Sequence, residues 1–465
     1  MLEGHNTYAP QTPQPKSGRP SLIRDSRFEI PNLESRISNL ASTVLVFFTS
    51  KLDSARLAAR EHDEPMNIKF QRFVDRYVGV PMCALFSLLE RLRPARRTLP
   101  EPERILIILL SEMGSLVLAQ PMFAELRRRY PKAELHVMVF AKNREVLDLL
   151  RSVRPENVHT LDDRSIGFLV RNSLKMVRRI RALRFDVVID CELFARVSSL
   201  FSWLSGAPIR VGFHPHTQEG LYRGSFINRP VLYNPYQHLT RQFITMAGAI
   251  GELKTLPITK NVKVPETFVQ PPVELDADER SRKIAMLESD FPSLAGRKLI
   301  LVSPSGGALP IRAWPFEHYV TLCRALLEQG YAVGIIGLPQ DRAIGQALAR
   351  ACQDARCVDL TGYTDSIRHL LILFYRADLL IANDGGPAQF AAMTPIQTIT
   401  FFGPETPLLY GSWAPRAFSF HMPLPCSPCL TAYNHRNSPC DGDNQCLKQI
   451  PPEAVLAKSM EMLSQ

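Results

Sequence analysis

The pattern of apolar and polar positions changes near residue 104. Upstream, apolar residues cluster with helix-like spacing between prolines. Downstream, short continuous apolar runs alternate with amphipathic stretches. RILIILL (Arg104–Leu110), AELHVMVF (Ala133–Phe140) and FDVVID (Phe185–Asp190) have the character of strands buried on both faces of a parallel sheet. Between and after them the pattern predicts helices ending near Tyr130, around Asn143–Leu150, over Ser165–Leu183 and over Val197–Leu204, with a short strand at Arg210–Phe213. A proline- and charge-rich stretch over 255–295 interrupts the alternation. Its early part reads as a linker and its later part as a helix. The alternation then resumes with strands at Lys298–Gly306, Tyr331–Gly337, Val358–Leu360, Ala377–Asp384 and Gln397–Gly403. Helices are predicted at Phe316–Gln329, Asp341–Gln353, Ile367–Tyr375 and Pro387–Met393. Two doubly wound α/β units in succession are expected, over 101–260 and 275–465, with a ligand cleft facing the carboxyl ends of both sheets. A two-domain dehydrogenase or an epimerase gives the same coarse pattern, so fold alone leaves function open.

Composition refines this picture mainly at the N-terminus. Hydrophobic residues at 45% and charged residues at 22% are ordinary for a globular chain of 465 residues. The net charge of +10 is uneven, since residues 1–100 hold 15 basic against 10 acidic residues. Residues 1–30 are polar and proline-rich, read as disordered, and lack the apolar core of a secretory signal. Residues 31–100 read as an amphipathic helical extension broken at Pro65 and Pro81. Its apolar runs, Leu40–Phe48 and Val78–Leu89, fall short of the roughly 20 residues that span a bilayer. The second run leads into Arg91, Arg93, Arg96 and Arg97. That order suits a helix lying on an anionic membrane surface, and equally one packed on the protein's own core. No nucleic-acid-binding motif accompanies the positive charge.

Two local patterns carry chemistry. In LLIANDGGPAQFAAM (Leu379–Met393) a buried strand ends at Asn383-Asp384, two glycines follow, and Pro387 suits the first turn of a helix. Backbone N–H groups there suit a phosphate or diphosphate, unless the segment is an ordinary strand–turn–helix connection. Near the end, Cys426, Cys429, Cys440 and Cys446 form C-x2-C-x10-C-x5-C in a loop. Four such thiols suit a structural zinc, two disulfides or free thiols.

The chain resembles the ADP-heptose:lipopolysaccharide heptosyltransferases, glycosyltransferase family 9, over about Arg104–Leu463. Leu379–Met393 is similar to the family's D-[ST]-G-P-x-H box, with Gly385 in the middle position and Gln389 at the histidine. Ser303–Leu326 resembles its glycine loop, basic residue and W-P helix start. Phe401–Trp413 resembles its F-G-P-T-[DS]-P turn, and Leu109–Pro121 its S-x-L-G-D segment. The resemblance implies two Rossmann-like domains in the glycosyltransferase B arrangement. The donor's diphosphate would lie at Asp384, Gly385, Gly386 and Gln389, with Ser305, Gly306 and Arg312 beside it and Asp341 near the ribose. Trp314-Pro315 is read as packing. Asp190, Glu192 and Arg196, at a strand's carboxyl end, together with Arg223 would face the acceptor.

One departure stands out. The family's catalytic aspartate is replaced by Ser115, which cannot act as a base unaided. Glu112, three residues earlier, is the preferred substitute, with Asp190, Glu192 and His238 as further candidates. The resemblance implies inverting, metal-independent transfer of a sugar, heptose in the family, from a nucleoside-diphosphate sugar to a glycan or glycolipid. No nucleic-acid partner and a cytoplasmic location are expected, with a peripheral place on the inner face of the membrane if the extension, which lies outside the resemblance, is the surface helix its pattern allows. Ser115 and Gln389 keep a degenerate, binding-only assembly protein in view. A sugar-nucleotide epimerase is the third reading.

Overall fold

A computed structural model describes residues 74–92, 101–110, 112–162, 166–193, 195–213, 222–251, 262–265, 268, 270–431 and 437–464. The expectations for residues 1–73 and for the early linker around 252–261 fall outside them. The first lobe is built on β1 (Arg104–Ile108), β2 (Glu134–Phe140), β3 (Val158–Leu161), β4 (Val187–Asp190), β5 (Ile209–Phe213) and β6 (Arg229–Val231). The second uses β7 (Leu299–Ser303), β8 (Ala332–Ile335), β9 (Cys357–Asp359), β10 (Leu379–Asn383), β11 (Gln397–Phe402) and β12 (Ala417–His421). Every pairing is parallel. The strand orders are β3-β2-β1-β4-β5-β6 and β9-β8-β7-β10-β11-β12, the same doubly wound order twice. In each sheet the order reverses between its first and fourth strands, β1 and β4 or β7 and β10.

Helices α1 (Val80–Arg91), α2 (Met113–Leu118), α3 (Gln120–Arg129), α4 (Arg144–Leu150), α5 (Ile166–Ala182), α6 (Arg196–Leu204) and α7 (Leu239–Ala249) belong with the first sheet. In the second half come α8 (Ala277–Asp290), α9 (Phe316–Glu328), α10 (Arg342–Cys352), α11 (Ile367–Arg376), α12 (Gly386–Ala391), α13 (Pro407–Tyr410), α14 (Gln445–Lys448) and α15 (Pro452–Leu463). The buried strands sort their side chains by the two-residue period. On β7, Leu299 and Leu301 face one core while Ile300 and Val302 face the other, where Trp314, Tyr319 and Val455 pack. Trp314 is 1% exposed, stacks on Phe401 at 4.5 Å and donates Nε1–H to the Ile450 carbonyl. Its packing role is thereby met.

Pro81 does not break the extension. A π-helical turn (Asp75–Gly79) runs straight into α1, and the helix passes through the proline, whose missing N–H falls where the wider π turn gives way to the α-helix. Among the described residues no helix is long and apolar enough to cross a membrane.

Candidate active site

The two order reversals collect most of the residues singled out from the sequence. In the first lobe β1 leads into the loop of Glu112, which is the N-cap residue of α2. Ser115, on the first turn, is 9% exposed and donates its hydroxyl to Glu112 Oε2 at 3.1 Å. Glu112 is half-buried, and this bond fixes how its carboxylate is turned. Beside it, Glu192 Oε1 accepts the Leu110 N–H at 2.6 Å, fastening the end of β1 to the loop after β4.

The remaining acceptor-side expectations meet a different environment. Asp190 and Arg223 are both 0% exposed and form a buried ion pair. Arg223 also donates to the Glu192 carbonyl, to Ser198 Oγ at 2.8 Å and to the Ala195 carbonyl at 3.2 Å. Arg196 is 3% exposed. Its guanidinium bonds Asp75 Oδ2 at 2.9 Å and the Tyr222 carbonyl at 3.0 Å. In this arrangement all three side chains are buried and engaged by protein partners. They tie the extension and the loop at 222–226 to the sheet, because a buried charge is tolerated only when paired and hydrogen-bonded.

His238 is likewise committed. Nδ1 accepts the Thr240 N–H at 3.3 Å, so the proton sits on Nε2, which donates to the Gly411 carbonyl of the second lobe at 2.8 Å. Its ring stacks on Trp413 at 4.3 Å. Burial pushes its pKa down to about 4, against the raising effect of the Gly411 bond. With both nitrogens engaged, the imidazole links the two lobes through the Gly411 carbonyl.

In the second lobe Asn383, the last residue of β10, is the hub. Its Nδ2 donates to the carbonyls of Ser303, Pro304 and Ser305 at 3.1–3.3 Å, while Oδ1 accepts from Trp314 N at 2.9 Å and Tyr319 Oη at 3.2 Å. This one amide sets the loop after β7. Gly306 within that loop has no room for a side chain, since a Cβ would lie 2.8 Å from the Leu309 carbonyl oxygen. Ser305 Oγ donates to Asp341 Oδ1 at 2.7 Å, and Asp341 Oδ2 accepts the Leu338 N–H at 2.8 Å. The acid expected near a ribose thus already organises its own turn. Arg312 lies between Glu405 (3.0 Å) and Asp384 (3.7 Å), with 15% of its side chain exposed. Glu405 is 1% exposed and is not singled out by the sequence pattern, although the G-P-E-T turn that carries it is.

The lobes meet where these two sets face each other. A Cβ on Gly114 would sit 3.0 Å from Gln389 Cγ, so α2 and α12 cross in close contact. Gln389 donates Nε2–H to the Tyr410 carbonyl at 2.7 Å, and its buried Oε1 is left without a partner. Gly385 has space around it, since a Cβ there would come no nearer to another atom than 3.9 Å, from the Asn383 carbonyl oxygen. Helix α12 is only six residues long, so its dipole is small, and Arg312 is a cation beside its start through Asp384. Glu145 of the first lobe adds a second tie, accepting the Ile367 and Arg368 N–H groups of α11 at 3.1 and 2.9 Å.

The cysteine tail packs against this lobe without forming the expected zinc centre. Among the described residues, no group of three or more His, Cys, Asp or Glu side chains is arranged to hold a metal ion. Cys429 Sγ accepts from Ser438 Oγ, and Cys440 points to Asp441 and Asn444. Burial, with the other three thiols nearby, raises Cys446 to about 11. Asn444 meanwhile donates to the Ile311 carbonyl at 2.7 Å, bracing the Arg312 turn.

Residues 173–438 match the model of glycosyltransferase family 9 (heptosyltransferase). Lipopolysaccharide heptosyltransferase 2 of Salmonella typhimurium is 23% identical over 367 residues, covering 78% of this chain and 99% of that protein. Among solved structures, the ADP-heptose lipopolysaccharide heptosyltransferase II of E. coli superposes with a TM-score of 0.61 at 22% identity, over 78% of this chain and 99% of its own. An E. coli heptosyltransferase solved with ADP gives a TM-score of 0.55 at 17% identity, over 77% and 99%. The family match spans more than half of the chain, and the same two-sheet fold recurs in its solved relatives: the chain belongs to glycosyltransferase family 9 and is a glycosyltransferase.

Proposed function

We propose that the enzyme transfers heptose from an ADP-linked donor to a hydroxyl of a lipopolysaccharide-type glycolipid, with inversion at the anomeric carbon. The observation that carries this reading is the contact of the loop after β1, which presents the Glu112 carboxylate, with the turn after β10, whose Asp384 pairs with the Arg312 guanidinium. The relatives named above supply the sugar, nucleotide and acceptor class. Glu112, oriented by Ser115, takes the proton of the acceptor hydroxyl as that oxygen attacks the sugar. The diphosphate leaves toward Arg312 and the backbone N–H groups at Gly385–Gly386. Glu405 and Asp384 hold the guanidinium ready for it. A fixed cation at this place supplies the charge that a divalent metal brings in other transferases, so a chelator is expected to leave turnover unchanged. Contact between the lobes keeps water from the donor. The reaction is assigned to the cytoplasmic face of the membrane that holds the acceptor.

Glu112→Gln tests the assignment. Transfer should fall by about 10²–10⁴-fold, while ADP still stabilises the protein in a thermal-shift assay. Full transfer by Glu112→Gln would remove Glu112 as the base.

A further inference from the structure

The segment from Val74 to Leu92 has two faces of opposite character. Met82, Cys83, Phe86 and Ser87 are buried against the first lobe, and Phe86 stacks on Trp203 at 4.2 Å. Both acidic residues of the segment also turn inward. Asp75 holds Arg196, while Glu90 pairs with Arg210 and accepts Trp203 Nε1–H at 2.8 Å. On the other side Tyr77, Pro81, Ala84, Leu88 and Leu92 are exposed, recurring at three- and four-residue steps that make one stripe along a helix. Tyr77, Leu88 and Leu92 are 62%, 57% and 62% exposed. They are three of the nine large hydrophobic side chains exposed among the described residues, concentrated in 19 positions. Arg76 and Arg91 are exposed at the two ends of the stripe, and the sequence runs on through Arg93, Arg96 and Arg97.

We propose that this face seats the enzyme on an anionic lipid bilayer, with α1 lying in the plane of the headgroups. Sorting of charge decides for lipid over a protein groove. Both acids of the segment are neutralised on the inner side, leaving the outer side apolar and running into Arg91, which is how an interfacial helix divides its surface. The stripe, about 20 Å long, enters the acyl boundary while the arginines meet phosphate headgroups. The buried face carries the load back to the lobe whose loops hold Glu112. For its purpose the proposal rests on the glycolipid-acceptor reading above.

The test is flotation of the full chain with vesicles of phosphatidylethanolamine and phosphatidylglycerol, against vesicles of phosphatidylcholine alone. The wild type should float with the anionic vesicles, less so at high salt. Leu88→Glu with Leu92→Glu should bind at least tenfold more weakly, and Arg91→Glu a few-fold more weakly. Leu88→Met with Leu92→Met should bind as the wild type. Both leucines point outward, so an unchanged melting temperature is expected in each variant. Turnover on a water-soluble, deacylated acceptor should be the same in all, while transfer to a vesicle-embedded acceptor should fall in step with binding. Equal flotation of the double glutamate variant overturns the proposal, as does equal binding to neutral vesicles. It is also overturned if that variant only dissolves a dimer seen by size exclusion, which would mean a second copy covers the stripe. Absence of transfer to the soluble acceptor by the wild type would instead count against the functional reading, leaving the vesicle result to stand by itself.

Discussion

β4 and β10 occupy equivalent places, each beside its lobe's first strand where strand order reverses, yet their last residues are satisfied in opposite ways. β4 ends in Asp190, a charge fully buried against Arg223. β10 ends in Asn383, a neutral amide holding three carbonyls and accepting two donors. The ion pair commits its charges to the inside of the first lobe, so the candidate base there is left to the neighbouring loop of Glu112. The amide organises backbone without adding charge, which leaves Arg312 as the cation beside the expected diphosphate. Equal topology therefore supports unequal chemistry. One strand end locks the scaffold, and the other shapes the loop that meets the donor.

The sharpest way to break this comparison is to unpair Asp190. Arg223→Met leaves a carboxylate buried without its partner, and a loss of about 3–5 kcal/mol in unfolding free energy is expected. Urea denaturation of the full chain measures it. Adding Asp190→Asn should restore a good part, because two neutral groups need no charge compensation; no recovery would mean that the pair is not what holds this region.

Next in size is the charge on the donor side. Arg312→Met should lower transfer by about 10²–10³-fold, the scale of losing one fixed donor to a developing anion. Arg312→Lys should keep part of the rate, a point charge without the fork that matches phosphate oxygens. Steady-state kinetics with the folded variants reads both. An unaffected Arg312→Met would shift the anion seat to the backbone alone.

Asn383 gives a smaller effect with an informative sign. Asn383→Ala strands buried donors and acceptors and should cost about 2–3 kcal/mol. Asn383→Asp should be worse, since three carbonyl oxygens would then face a carboxylate. The residue type that serves at the end of β4 is the wrong one at the end of β10, and comparing the melting temperatures of the two variants decides it.

How much of this is legible in the sequence follows from burial. The central strands β1, β4, β7, β10 and β11 are covered on both faces and leave continuous apolar runs, and the pattern places each within a few residues of its ends. It does not mark β3, β6 or β12. They lie at sheet edges; β3 and β6 are also short, and in place of a continuous apolar run they carry polar residues (β3 and β12) or Pro230 (β6), which an edge tolerates. The site shows the same division. That Asp190, Glu192, Ser305 and Asp384 stand at strand ends can be read from pattern. Whether a charged side chain turns to the cleft or to the core cannot, because the partner decides and the partner is remote. Arg196 is held by Asp75, 121 positions upstream in the segment read as an appendage. Glu405 is hidden for the same reason, its purpose visible only beside Arg312.

The mildest prediction concerns His238, which bonds from the first lobe to the Gly411 carbonyl of the second. Burial holds its folded pKa near 4, below the ordinary histidine value of 6.5. A group whose neutral form is favoured by folding binds more protons unfolded than folded between those two values, so stability falls as pH drops from about 6.5 toward 4. Between pH 7 and pH 5 the expected loss from this group is about 2 kcal/mol. His159, also lowered to about 4 by burial, pulls in the same direction within the first lobe. The two are separated by substitution. In His238→Gln the amide keeps a donor for the Gly411 carbonyl at a cost of about 1 kcal/mol at neutral pH, and the acid-sensitive part due to His238 disappears while that of His159 stays. The melting temperature of the variant, lower at pH 7, should therefore meet that of the wild type as the pH is lowered and lie above it by pH 5. Parallel curves at all pH values would mean that protonation of His238 does not oppose the contact between lobes.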